Sequence, residues 1–210
     1  ALDWSVLGRM LSQGMLDDHL ISADPAAREA VLGLGEAYRR NVPALTAGSE
    51  PTVEVTERNM GWPIMGLSSY YALQPSAPVK DALTTLVDRT LAWQNRGSSG
   101  AFEHDIVRPD PSECSNGPKG ASPFMSSLLV DGLMDYQALT GDARIAGSVK
   151  RLAQWYETQA ITSDRKAFRY LWNCQSDPYD DSGVADLNLL IGHVFGAAYY
   201  LTGETKWLTF

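Results

Sequence analysis

Apolar positions in residues 132–151, GLMDYQALTGDARIAGSVKR, recur at helical spacing. Leu133, Tyr136 and Leu139 share a face, and Thr140-Gly141-Asp142 then turns the chain into a second helix with Asp142 as its N-cap. This hairpin is copied elsewhere in the chain. An offset of 66 lays GLSSYYALQPS (residues 66–76) on it, matching Gly66 with Gly132, Leu67 with Leu133 and Tyr70 with Tyr136. An offset of 118 brings in residues 14–19 and sets Asp24 on Asp142, and an offset of 62 sets Leu201-Thr202-Gly203-Glu204 on Leu139-Thr140-Gly141-Asp142. Repeats of this length are supersecondary units that bury an apolar face against their neighbours, so the pattern predicts an all-α chain of inner-outer helix pairs.

In chain order the predicted helices are 4–21, from Asp24-Pro25 to Asn41, 59–74, 78–95, 123–139, 142–160 and 184–201, with a fourth outer helix just beginning. Pro25 and Pro123 occupy the first helical position, where proline's missing N–H costs nothing. Inner-to-outer turns are short, whereas the outer-to-inner connections 42–57, 96–122 and 161–183 are long. Two of them carry strand-like alternation, at 52–56 and 168–172. Long connections within a compact repeat are usually functional or disordered, and a radial stack gathers them on one rim, away from Asp24, Ser76, Asp142 and Glu204. That rim supplies Arg58, Asn59, Trp62, Phe102, Glu103, His104, Asp105, Arg108, Lys119, Tyr170, Trp172, Tyr179, Asp180 and Asp181, a mixture of aromatic and polar groups suited to sugars.

Composition narrows the picture. With 210 residues and 44% apolar content the chain is long enough for one sizeable core, and the unbroken repeat argues for a single domain over 1–210. A net charge of −8 disfavours nucleic acid and anionic membranes as partners. The longest apolar run, 187–201, is interrupted by Asn188 and His193 and is too short to span a bilayer. The opening Ala-Leu-Asp-Trp carries no targeting pattern and reads as a processed or excised piece. Cys114 and Cys174 lie in two long connections that precede adjacent inner helices. The placement suits one disulfide or two free thiols, and it predicts that the two residues approach each other.

The inner helix ending in Tyr-x-x-Leu-Thr-Gly-Asp, seen as DYQALTGD and nearly as AYYLTGE, resembles the α/α-toroid superfamily of six-hairpin glycosidases and toroidal polysaccharide lyases. The likeness covers almost the whole chain. It extends to PFMSSLLVDGL (residues 123–133), which is similar to helical domains of bacterial enzymes that degrade acidic polysaccharides. It implies an α/α toroid of about three and a half hairpins with short β segments in the long loops, acting on a polysaccharide or oligosaccharide, secreted or periplasmic. Family toroids have five to seven hairpins. The fourth outer helix breaks off where its counterpart in the third unit continues, so the run 187–201 is expected to leave Leu190, Val194 and Tyr200 for further toroid chain or another copy to cover.

Three functions are then open. In a lyase, Arg58 and Asn59 neutralise a uronate carboxylate while His104 or Tyr170 exchanges the proton beside it. In a glycoside hydrolase, Glu103 or Asp105 pairs with Asp181. The third is a non-catalytic carbohydrate-binding scaffold. Trp62, Phe102, Arg108, Trp172, Tyr179 and His193 would contact the substrate, His193 because it is in register with Asp131 at an offset of 62. Each has a plainer reading: His104 as a solvated loop histidine, His193 as a hydrogen-bonded core residue, Arg58-Asn59 as helix-end packing, Asp181 as a cap. Trp93 and Trp155 recur at matched outer-helix positions and are read as core. No phosphate-binding glycine loop, His-x-x-x-His or Cys-x-x-Cys spacing or nucleophile elbow is present, and neither metal nor cofactor is expected.

Overall fold

The computed structural model describes residues 12–47, 56–105, 119–173, 183 and 185–209. The described residues are mostly helical with almost no strand. α1 (Gln13–Ser22) closes on Ala23 in the left-handed conformation, φ 60°, whose N–H donates to the His19 carbonyl. Asp24 accepts the Ala26 N–H at 2.8 Å and, with Pro25 following, starts α2 (Pro25–Thr46).

α2 runs five residues beyond Asn41, where the sequence pattern ended it. Val31, Leu34, Tyr38, Val42 and Leu45 form one continuous buried stripe. Burying Val42 and Leu45 returns about 1.5–3 kcal/mol each, which offsets the roughly 3 kcal/mol cost of Pro43 inside the helix. The predicted loop 42–57 is shortened accordingly, and its strand-like part 52–55 lies outside the described residues.

α3 (Glu57–Leu73) is buried on almost every side from Met60 to Ser69, as befits a central helix. α4 (Ala77–Gln94) follows. The connection after it forms a two-stranded antiparallel ladder, β1 (His104–Asp105) with β2 (Lys119–Gly120), before α5 (Pro123–Thr140). α6 (Arg144–Trp155) ends in a π turn, Tyr156–Ala160. Its start is held by the Asp142 carboxylate, which accepts the Arg144 N–H at 3.0 Å.

The predicted helix 184–201 is broken. A short α7 (Ala185–Asn188) is separated from α8 (Gly192–Thr202) by a tight turn. Asn188 Oδ1 accepts the Phe168 N–H at 2.9 Å, and the N–H groups of Ile191 and Val194 bond carbonyls three residues back. A side chain bonded across to another segment thus marks the place where regular winding stops. Val194 is buried where α8 lies on α6, contrary to the expected exposure, while Leu190 and Tyr200 are exposed as expected, Tyr200 to 75%.

Close approach of helices decides the arrangement. α2 crosses α3 antiparallel, with Tyr38 seated on Gly66 and Tyr70 on Gly35. α3 and α5 run parallel and touch backbone to backbone: a Cβ on Gly61 would lie 2.8 Å from the Leu128 carbonyl oxygen, and one on Gly132 2.8 Å from the Gly61 carbonyl oxygen. α4 is tied to α6 by the buried pair Gln94 and Ser148 and by Arg144 on Asp88 at 2.8 Å. Trp93 and Trp155 are core, and most of the buried apolar residues between Leu34 and Trp207 form one cluster.

Gly61→Ala and Gly132→Ala are each expected to cost about 1–3 kcal/mol in urea unfolding, because both neighbours are backbone and have little room to yield. Gly147→Ala, on an exposed helical position whose Cβ would meet only the Arg151 guanidinium at 3.6 Å, should instead stabilise by up to about 1 kcal/mol.

Candidate functional site

The connections 96–122 and 161–183 meet at the N-terminal ends of α3 and α5. Trp172 and Ala121 exchange backbone hydrogen bonds at 2.9 and 3.4 Å, the Ser122 hydroxyl donates to the Tyr170 carbonyl at 3.0 Å, and Asn173 Nδ2 donates to the Lys119 carbonyl at 2.8 Å. At the centre of this knot stands Glu57, in the first turn of α3 and wholly buried. Its Oε1 accepts the Ser122 N–H at 2.8 Å and the Ser126 hydroxyl at 3.4 Å, and its Oε2 lies 3.3 Å from His104 Nδ1. The buried Glu57 carboxyl group, at the N-terminus of α3, is satisfied through Oε1 by a backbone N–H and a hydroxyl, while Oε2 and His104 Nδ1 stand within ion-pair range but make no hydrogen bond to each other. The Tyr156 hydroxyl, donating to the Pro123 carbonyl at 2.6 Å, is held well above its usual pKa by burial first and by the Glu57 charge second.

His104 is therefore neither a solvated loop histidine nor a group facing a cleft. It is 5% exposed and faces Glu57. Phe102 is fully buried, edge-on to Trp93 with centroids 5.4 Å apart, and belongs to the core. Glu103 turns back on its own loop, accepting the Ser99 hydroxyl at 2.5 Å. Asp105 pairs through its backbone with Lys119. Arg108, Tyr179, Asp180 and Asp181, with Cys114 and Cys174, lie outside the described residues.

The remaining predicted residues lie around the N-terminal ends of α3 and α5. The Arg58 guanidinium sits over the Trp62 ring, 5.2 Å from its centroid, with Trp62 itself mostly buried. Asn59 follows in the same turn, half-buried. Tyr170 stacks on Phe124, centroids 5.5 Å apart and planes 25° from parallel. Trp172 is edge-on to Trp155 at 5.9 Å and partly buried.

Further along α5, His193 Nε2 lies 3.0 Å from Asp131 Oδ1 and 3.2 Å from the Ser127 carbonyl. Both side chains of this pair are 39% exposed, so solvent and a ligand can reach it. Burial works to lower the imidazole pKa, but the Asp131 hydrogen bond and charge, with the Ser127 and Leu190 carbonyls, prevail and raise it. Phe124, Asp131 and Asp135 are spaced by seven and four residues, which places them on one face of α5. That face runs from the aromatic stack through the imidazole–carboxylate pair to a second carboxylate, over about 16 Å at 1.5 Å per residue.

Asp131 was visible from the repeat, since the offset of 62 aligns it with His193. Glu57 is hidden because its position in the sequence is that of a loop end, and Phe124, Ser126 and Asp135 carry no signal beyond helical spacing. Among the described residues, no helix is long and apolar enough to cross a membrane, and no group of three or more His, Cys, Asp or Glu side chains is placed to hold a metal ion. No family model, curated protein or solved structure matches this chain.

Two measurements check this arrangement. Glu57→Ala strands the Ser122 N–H and the imidazole in a buried site, and should cost about 3–5 kcal/mol in chemical denaturation. For His193 the folded pKa is raised, so its contribution to stability is full below the unfolded value near 6.5 and is lost as pH rises through the folded value. An NMR titration should find His193 above about 6.5 in the wild type and lower in Asp131→Asn.

Proposed function

We propose that the chain is an arc of an α/α toroid that acts on a polysaccharide, with His193 and Asp131 as its proton-transfer pair. The observation that carries this reading is the 3.0 Å contact between two partly exposed groups on the α5 face that begins at the Phe124–Tyr170 stack. An aromatic face beside a tuned imidazole suits a sugar ring and a proton transfer near neutral pH. The side-by-side parallel contact of α3 and α5, with α2 antiparallel to α3, supports the toroid element of the reading.

For the reaction we propose elimination at a uronate, with the base moved from the buried His104 to His193. His193 takes the proton next to the uronate carboxylate. The electron pair left behind forms the carbon–carbon double bond as the bond to the glycosidic oxygen breaks, and the proton held on the His193 imidazole passes to that departing oxygen, while Tyr170 supplies a stacking face further along the helix, at the start of α5. Arg58, at the N-terminal end of α3, offsets the substrate's negative charge, which is what makes the transferred proton acidic enough to remove.

A panel of acidic and neutral polysaccharides tests this. Elimination yields an unsaturated uronate detected by its ultraviolet absorbance, hydrolysis yields reducing ends without it, and a binding scaffold yields neither. With a uronate polymer, His193→Ala should lower kcat by about 10²–10⁴-fold while binding persists. Activity of His193→Ala equal to the wild type, or reducing ends alone, would refute the assignment.

A further inference from the structure

One turn beyond Asp131, α1, α3 and α5 enclose a groove of about 400 Å³ that plays no part in the proton transfer proposed above. α1 reaches it through two hydrogen bonds, Ser12 Oγ to Ser69 Oγ at 2.9 Å and Gln13 Nε2 to Asp135 Oδ2 at 2.8 Å. Its polar lining includes Gln13, Asp17, Ser68 and Asp135, and Leu16 and Leu139 contribute apolar wall.

Ser68 is the informative residue. A hydroxyl within a helix ordinarily donates to the carbonyl four residues back, as the buried Thr90 and the partly buried Thr140 and Thr202 do here at 2.8, 2.7 and 2.6 Å. The Ser68 hydroxyl is 2% exposed and has no hydrogen-bond partner among the described residues. A buried polar group without a partner costs about 1–3 kcal/mol, so its place on the groove wall marks a position where a ligand atom completes it.

Acceptors outnumber donors in the groove. Gln13 spends an amide N–H on Asp135, leaving the second Asp135 oxygen, the Asp17 carboxylate, the Gln13 carbonyl and the Ser68 oxygen to receive hydrogen bonds. Burial pushes the Asp135 carboxyl above its ordinary pKa against the Gln13 hydrogen bond, and the Asp131 and Asp17 charges push it further, so the groove is short of positive charge. Two lining carboxylates are too few for a dehydrated metal ion, which takes six or more oxygens or a dedicated nitrogen and sulfur set. An ammonium group brings one positive charge and three donors on a stem that the apolar wall accepts.

We propose that this groove binds a primary ammonium carried on an apolar or sugar stem, held by Asp135 and Asp17 and completed by Ser68. The site is independent of the glycan reaction: its readout is ligand binding, and failure of the lyase assay leaves it untouched.

The test titrates the full chain at pH 7 with glucosamine, with 1,4-diaminobutane and with glucose, following amide shifts of Ser68, Ser69 and Asp135 by two-dimensional NMR and heat by calorimetry. Saturable binding of at least one amine and none of glucose is expected. Tighter binding of glucosamine identifies the stem as a sugar, and tighter binding of the diamine identifies it as aliphatic. Asp135→Asn should weaken binding about tenfold or more, and Ser68→Ala several-fold. Asp17→Asn, on an exposed position of α1 where folding is not at stake, should weaken it too. Glucose binding as well as the amines, absence of saturation with either amine, or wild-type affinity in both aspartate variants would overturn the proposal.

Discussion

Gly61 and Gly132 let α3 and α5 meet with their backbones in contact, and the rest of the molecule depends on that meeting. At such a distance the two helices have little freedom to slide, because each glycine faces a carbonyl of the other helix. The resulting parallel register sets Glu57 against Ser122 and Ser126 at one end. It also leaves one face of α5 for other elements: α8 delivers His193 to Asp131, and α1 delivers Gln13 to Asp135.

The two histidines near this helix pair show how burial assigns different roles to one side chain. His104 and Glu57 are both shut away from water, so their contact holds the 96–122 connection onto α3 and offers nothing to a ligand. Such a pair is sensitive to the loss of either member, since the polar group left behind has no solvent to turn to. His193 and Asp131 stand at a similar separation with more than a third of each side chain in solvent. Their mutual attraction is screened there, which makes it a poor source of stability and a usable means of setting a proton affinity.

Along α5 the chemistry is graded. The aromatic stack of Phe124 on Tyr170 lies where the connections converge, the imidazole–carboxylate pair lies midway, and Asp135 lies toward the short-turn end with Asp17. The exposed Leu189, Leu190 and Tyr200 lie on the α7–α8 segment and take no part in this gradient.

The sequence by itself determined the helical hairpins, their repeat and the turn chemistry, because helical periodicity, proline at the first helical position and capping aspartate are local properties that neighbouring residues settle. It also determined the alignment of Asp131 with His193, since a structural repeat places equivalent residues on adjacent faces. What only the tertiary structure decided was burial. Whether α2 stops at Asn41 or continues through Leu45 depends on the neighbouring helices being there to bury Val42 and Leu45. Whether His104 and Phe102 face a cleft or the interior depends on where a connection of more than twenty residues folds back. The break between Asn188 and Gly192 depends on the Phe168 N–H arriving from the connection before α7. Each of these turns on a contact between residues far apart in the chain, and periodicity carries no record of such contacts.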